Sequence, residues 1–357
     1  MAELDQTVCQ PGSASETPEE DLSVKWGRDG RVQTVDEKKF SFWKDYVFPK
    51  AFFFTVGFPK DSFASVDITN RCNLRCKHCY FYEQDVPEEM TDEAWIQRFE
   101  AMSKGINRVR SVTWIGGEPL LRKDLIEIGK KYFPYNLIVT NGLIPLPDWR
   151  DALFHVSIDG DEVAHEKQRN QKGIYKQIMK NVDRPELDVS IAYCVSSLNQ
   201  HCIEKVLEEW RGVGVKGFLF SFYTPIESIH DPLFPGWEAR DRIIDRLIEL
   251  KETKYGDYIH TESRVLELMK SANSKKVTDN CIFMTKGMAL DPVGKRKAKC
   301  MMGDKADCDR CGCVVPFYLH WRSEKSHIVR EVYDDLTHFF SSRARHLWDL
   351  SSNTQSK

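Results

Sequence analysis

From residue 63 onward the chain alternates short apolar β-rich runs with stretches of helical period. FASVDI (63–68), VRSVTWI (109–115), NLIVT (136–140), LFHVSID (153–159), LDVSIAYCV (187–195) and GFLFSFY (217–223) each read as a strand. TDEAWIQRFEAMSKGI (91–106) and KDLIEIGKKYF (123–133) carry helical period between them, with Thr91 as N-cap and no glutamate three residues on to complete a capping box. Strands alternating with helices at this spacing predict βαβ units and a parallel sheet. Six repeats between 63 and 223 are too few for an eight-unit barrel and suit an open, three-quarter one. Beyond 236, GWEARDRIIDRLIELKETKY and TESRVLELMKSA are amphipathic helices. In SHIVREVYDDLTHFF, Ile328, Val332 and Leu336 recur as a C-terminal packing stripe.

The segments flanking this core carry weaker signals. Residues 1–24 are polar and acidic without an apolar h-region, so they read as a disordered tail and not as a signal peptide. The aromatic stretch within 25–62 reads as a flank packed on the core. Predicted boundaries are then a core barrel over 63–235, a helical connection over 236–280, a cysteine-rich extension over 281–320, and a C-terminal helix and tail over 321–357.

Charge and cysteine usage narrow the chemistry. The 357 residues carry a net charge of −3, which argues against a nucleic-acid surface, and no apolar run is long enough to span a membrane. Eleven cysteines without a secretory signal indicate a reducing, cytoplasmic setting in which clustered thiols bind metal. Three of them, Cys72, Cys76 and Cys79, share one loop after the first strand. Five more, Cys281, Cys300, Cys308, Cys311 and Cys313, lie near the C-terminus, so two sites are expected. Closed zinc needs four ligands, and His78 would have to complete the first set. A cubane cluster on three thiolates instead leaves one iron open for another molecule. Cys194, in an apolar strand, and Cys202, at a helix start, read as small buried hydrophobes.

The loop CNLRCKHCYFY resembles the C-x3-C-x2-C signature of radical SAM enzymes, including an aromatic residue, Tyr80, after the last cysteine. The resemblance implies an incomplete (β/α)6 barrel, a 4Fe-4S cluster on Cys72, Cys76 and Cys79, and S-adenosylmethionine on the open iron. One electron from the cluster then breaks the sulfonium C–S bond to give a 5'-deoxyadenosyl radical. WIGGEPLLR after the second strand is similar to the family's GGE motif. By that similarity Gly116, Gly117, Glu118 and Pro119 bind the cofactor, a carboxylate meeting its ammonium and glycines permitting close approach. VTNG (with Asn141), VSIDG (with Ser157 and Asp159) and the later Arg169 resemble further cofactor-contacting segments. No catalytic residue beyond the cluster is assigned. The C-terminal cysteines resemble the openings of SPASM and Twitch extensions, and the tails of hopanoid-side-chain radical SAM enzymes, with five cysteines where SPASM has seven. They imply at most one auxiliary iron–sulfur cluster, zinc being the alternative.

Tyr223 and Glu227 end the sixth strand at the carboxyl edge, where barrel enzymes build substrate sites, and are expected to face substrate. The segment before 63 is too short for a peptide-binding domain of about eighty residues. A small-molecule or lipid-precursor substrate is therefore expected, with a flavodoxin- or ferredoxin-like reductase as electron donor. A peptide maturase is the alternative, and a zinc scaffold the rival from another class.

Overall fold

The structure, a computed structural model, describes residues 60–82, 84, 88–105, 108–227 and 231–324, together with the backbone of 25–26 and 32–34. The expected N-terminal tail, most of the aromatic flank and the expected C-terminal helix lie outside the described residues. A unit over residues 1–40 contains an antiparallel pair, β1 (Lys25–Trp26) and β2 (Val32–Thr34).

The larger unit is built on one parallel sheet. Its strands are β3 (Phe63–Thr69), β4 (Ser111–Gly116), β5 (Tyr135–Thr140), β6 (Leu153–Ser157), β7 (Asp188–Val195), β8 (Phe218–Phe222) and β9 (Gly287–Leu290). Their order is β8-β7-β6-β5-β4-β3-β9. The six strands expected from the sequence are β3 to β8, each in the position that simple right-handed βαβ winding gives. The seventh, β9, comes from the cysteine-rich region and pairs in parallel with the free side of β3, Ser65 opposite Ala289. β8 and β9 form its two edges, and the barrel stays open.

The strand period decides which face is buried. Ala64, Val66 and Ile68 of β3, Val112 and Trp114 of β4, Phe154 and Val156 of β6, and Val189 and Ile191 of β7 belong to the hydrophobic core. They pack there with the helices: α1 (Asp92–Met102) supplies Trp95 and Phe99, and α2 (Lys123–Lys130) supplies Leu125 and Ile126. The alternate positions, Ser65, Asp67, Thr113, His155, Ser157, Ser190, Ala192, Cys194 and Ser221, share the opposite, concave face. The helices named here pack on the first face, and the second mixes these polar positions with the apolar Ile115, Leu137, Val139 and Leu219. Cys194 stands on it half-buried, a correction to its reading as a core residue, because the odd register carries it inward. Cys202 is buried at the start of α5, below, as expected.

Local signals explain the helix ends. Thr91 Oγ1 accepts the Ala94 amide at 3.3 Å, the cap expected for α1. α3 (Glu162–Arg169) starts on Asp161, whose carboxylate accepts from Ala164, and stops at Asn170 in the left-handed region. α4 (Ile174–Val182) and α5 (Ile203–Glu209) complete the crossovers, and α6 (Trp237–Leu250) runs on as one wide helical turn over Lys251–Tyr255. The second amphipathic stretch divides into α7 (Ser263–Leu268) and α8 (Ser271–Thr278), and α9 (Ile282–Lys286) and α10 (Val314–Ser323) bracket the last cysteines. Among the described residues no helix is long and apolar enough to cross a membrane.

Candidate functional site

The loop from Asn70 to Tyr82 leaves the carboxyl end of β3 and is braced from two sides. The first brace starts at GGEP. Gly117 N–H donates to Thr69 O at 2.9 Å and Glu118 N–H to Arg71 O at 2.8 Å, tying the end of β4 to the root of the loop. Glu118 is fully buried, and its carboxylate accepts from the Thr140 hydroxyl (2.7 Å), the Asn141 amide (2.9 Å) and the Leu120 amide (3.1 Å). Burial raises its pKa against those three donors. Pro119 opens the short 3-10 turn that Glu118 caps. Asn141 passes the brace on, donating to Asn73 Oδ1 at 2.7 Å with the Cys72 sulfur 4.0 Å from the same nitrogen.

The second brace comes from β6 and α3. Asp159 is fully buried; one of its oxygens takes Arg169 Nε at 2.6 Å and lies 3.3 Å from His78 Nε2. Burial works to raise the Asp159 carboxyl, but Arg169, His78 and His165 together hold it below the usual range. Arg169 Nη1 reaches the Cys76 sulfur at 3.9 Å, and Gln168 O accepts the Lys77 amide at 3.0 Å. His78, the residue a zinc site would need, is occupied by Asp159. Ser157 sits two residues before Asp159, in register with Ala192.

These contacts bring Gly116, Gly117, Glu118, Pro119 and Asn141 to one side of the cysteine loop and Asp159 and Arg169 to the other. Sequence reasoning missed Asn73, Thr140, Gln168 and the bracing role of His78. Only the polar character of Asn73 and His78 inside the loop hinted at them. Three N–H donors are aimed at loop sulfur, the Leu74 amide at 3.4 Å from Cys72 being the shortest. Burial pushes Cys72 up and Cys76 to about 11, and the neighbouring loop thiols add to both shifts. Such thiols stay protonated until a metal displaces the protons, and N–H donors to sulfur suit thiolates once it has. The loop therefore fits an iron–sulfur cluster.

The five C-terminal cysteines converge as well. All of them line one hollow, with Met284, Met301 and Met302 beside them. Among the described residues no three His, Cys, Asp or Glu side chains already stand around a single metal position. Burial pushes Cys311 up to about 12 and Cys313 well above the ordinary thiol value. A sulfur-rich, largely apolar hollow fits a soft metal or a cluster.

Tyr223 and Glu227 take a different place from the one expected. The Tyr223 side chain is buried and its hydroxyl donates to Asp231 at 2.7 Å. Glu227 pairs with Lys305 at 3.7 Å with its side chain 55% exposed. The strip after β8 holds the tail instead: Gly312 N–H donates to Thr224 Oγ1 (2.8 Å), Asp307 N–H to Pro225 O (3.0 Å) and Glu227 N–H to Lys305 O (2.7 Å).

The Tyr80 hydroxyl is within electrostatic reach of Asp67 and Cys79 and of Cys300 and Cys313. Asp67 on the concave face pairs with Lys297, both side chains buried, and burial, opposed by Lys297, raises its carboxyl to about 6.

The structure thus holds an open parallel sheet with three buttressed thiols after its first strand and a second group of five thiols lining one hollow. Residues 66–185 match the family model described as Radical SAM superfamily, the family whose signature the cysteine loop resembles. The chain is 29% identical to the sporulation killing factor maturation protein SkfB of Bacillus subtilis, over 44% of this chain and 40% of that protein. It is also 29% identical to pre-heme d1 synthase of Dinoroseobacter shibae, over 43% and 42%, and 28% identical to the GTP 3',8-cyclase of a Sulfurovum species, over 59% of each. The chain thus spans about two fifths to three fifths of these curated relatives. Among solved structures, native anSMEcpe with bound AdoMet superposes with a TM-score of 0.53 at 16% identity, covering 74% of this chain and 82% of that one. Streptococcus suis SuiB bound to precursor peptide SuiA gives 0.55 at 13%, covering 72% and 65%. Both share the fold.

Proposed function

We propose that the protein is a radical enzyme that reductively cleaves S-adenosylmethionine and uses the fragment on a small-molecule or lipid-precursor substrate held at the carboxyl edge of the sheet. The observation that carries the reading is the pair of braces converging on Cys72 and Cys76. A cluster on Cys72, Cys76 and Cys79 would supply the electron that breaks the sulfonium C–S bond to a 5'-deoxyadenosyl radical. Around it, Glu118 fixes the Asn141 backbone and Asn141 fixes Asn73 and Cys72, while Arg169, held by Asp159, sets the Cys76 side. Gly116 and Gly117 let the end of β4 press on the root of the loop, since a Cβ there would meet Thr69 O at 2.4 Å or Arg71 O at 2.0 Å. Zinc in both cysteine groups would leave this bracing without a purpose.

The strand face mixes the hydroxyls of Ser65, Thr113, Ser157, Ser190 and Ser221 with the apolar side chains of Ile115, Leu137, Val139 and Leu219, which suits a substrate with both polar and apolar parts. The names of the relatives divide: SkfB is a maturation protein, whereas the cyclase is named for a nucleotide. A peptide side chain offered at the mouth is the second reading, favoured by the SuiB–peptide structure sharing this fold. An auxiliary cluster on four of the five tail cysteines, a flavodoxin- or ferredoxin-like reductase and a cytoplasmic setting complete the proposal.

Anaerobic reconstitution with iron and sulfide, then dithionite and S-adenosylmethionine, tests it. The expected result is 5'-deoxyadenosine and about eight irons per chain, four for each cluster. Cys76→Ala abolishes the nucleoside and leaves about four irons. Nucleoside release that survives Cys76→Ala would refute the assignment of the loop.

A further inference from the structure

One strongly basic group in the core has no salt-bridged carboxylate among the described residues. Arg240, in the first turn of α6, is completely buried. Its Nη1 donates to Cys311 O at 2.8 Å, while Nε and Nη2 have no hydrogen-bond partner among the described residues. The guanidinium lies 4.9 Å from the Phe222 ring centre and 4.8 Å from that of Trp237. No carboxylate is paired with it among the described residues; the neighbouring Asp241 turns to Ser271, its Oδ1 accepting the Ser271 amide at 2.8 Å.

Burying a guanidinium without a counter-charge is costly, and aromatic faces offset only part of that cost. The cost makes sense if the fold expects an anion there. Cys311 lines the five-cysteine hollow, and its backbone is what Arg240 already holds. The electrostatic partner of Arg240 besides Asp241 is Cys311 itself. A cluster ligated by four thiolates carries net negative charge, so loading the hollow supplies the missing anion.

We propose that Arg240 is the counter-charge of an iron–sulfur cluster bound by the C-terminal cysteines, that Cys311 is one of its ligands, and that Arg240 raises the cluster's reduction potential. This rests on reading the tail as a cluster site. Arg240 is a positioning and tuning residue, since it acts through Cys311 on the cluster. A positive charge beside the cluster favours the reduced form, which is one electron more negative.

The test begins from a Cys72/Cys76/Cys79→Ala chain, whose iron can belong only to the tail. Metal analysis comes first: about four irons are expected. Zinc or no metal would overturn the cluster reading, and this proposal with it, before residue 240 is altered. Arg240→Met is then introduced, an apolar side chain suited to the Phe222–Trp237 sandwich. The expected outcome is unchanged iron with at least a tenfold weaker reduction equilibrium, about 59 mV lower for one electron. Arg240→Lys restores at least half of that shift. Metal-free Arg240→Met is as stable as its parent or more so, which a merely structural arginine would not permit. An unmoved potential overturns the proposal. Should Arg240→Met not accumulate, guanidino-15N arginine in an Arg310→Lys chain reads the contact directly. Nitrogen hyperfine coupling on the reduced cluster supports it, and its absence overturns it.

Discussion

Replacing Gly117 by alanine probes how tightly the barrel grips its cysteine loop. A Cβ built at Gly117 would stand 2.0 Å from Arg71 O, 2.6 Å from Arg71 C and 3.1 Å from Cys72 Cβ. The first two are backbone atoms that no rotamer change can remove. Restoring ordinary contact at about 3.4 Å moves the Arg71–Cys72 segment by roughly 1.4 Å, beyond the ~0.5 Å a preorganised site tolerates. The same shift breaks the 2.8 Å hydrogen bond from Glu118 N–H to Arg71 O. Overpacking costs about 1–3 kcal/mol and the lost bond about 1 kcal/mol, so Gly117→Ala should lose about 2–4 kcal/mol in urea unfolding. Displacing Cys72 should also cut reconstituted iron from about eight to about four atoms per chain. Nucleoside release should fall by at least about 10²-fold, the usual cost of a misplacement near 1 Å, and to nothing where the loop cluster is lost. Gly212, exposed and with open space where its Cβ would go, is the control, and Gly212→Ala should change neither readout. Full iron and nucleoside yield within twofold in Gly117→Ala would refute the claim that this contact sets the loop.

Three further outcomes follow from the same geometry. Glu118→Gln should lose about 1–3 kcal/mol, because all three partners of the carboxylate donate and an amide nitrogen turned to one of them leaves a buried N–H unpaired; unchanged urea midpoints would refute this. Asp159→Asn should cost about 3–5 kcal/mol by leaving Arg169 charged and unpaired, and adding Arg169→Met should recover part of that loss, as a double-mutant cycle can show. Asp67 binds its proton more tightly folded, near 6, than the ~3.9 of an unfolded aspartate, so its contribution is present below about pH 4 and lost as pH rises through about 6. The metal-free wild type should therefore lose roughly 3 kcal/mol across that window relative to Asp67→Asn, and parallel stability profiles of the two chains would contradict it.

The legible parts of this fold are those that periodicity or a short motif can carry. The six strands β3 to β8 announce themselves because each is apolar, β-branched or aromatic over five or more residues, and Thr91 is a cap by chemistry alone. β9 was not legible: Gly287, Met288, Ala289 and Leu290 are too few and too weakly β-forming to separate from the cysteine-rich segment around them. At the site, the motif residues fall beside the loop, but sequence order cannot show that Asp159 and Arg169 pair with each other. Lys297 sits in GKRKAKC, which reads as a solvated charge run, yet it is buried on Asp67 far away in the chain. Arg240 hides in the same way within a helix whose alternating charges suggest an exposed face. The strip from Thr224 to Glu227 looked like substrate-facing loop because barrel strands end there, whereas its hydrogen bonds hold the tail.

The late arrival of β9 has a consequence for the growing chain. β3 is complete at Thr69, but its second neighbour is finished only at Leu290, about 220 residues later. At 5–20 residues per second the ribosome needs roughly 10 to 45 s to make that stretch. Throughout that interval the nascent protein offers an unpaired strand edge next to the three thiols it will later use, and edges of this kind invite pairing with other chains. The finished sheet carries no trace of this exposure, because the last strand to emerge closes the edge of the first.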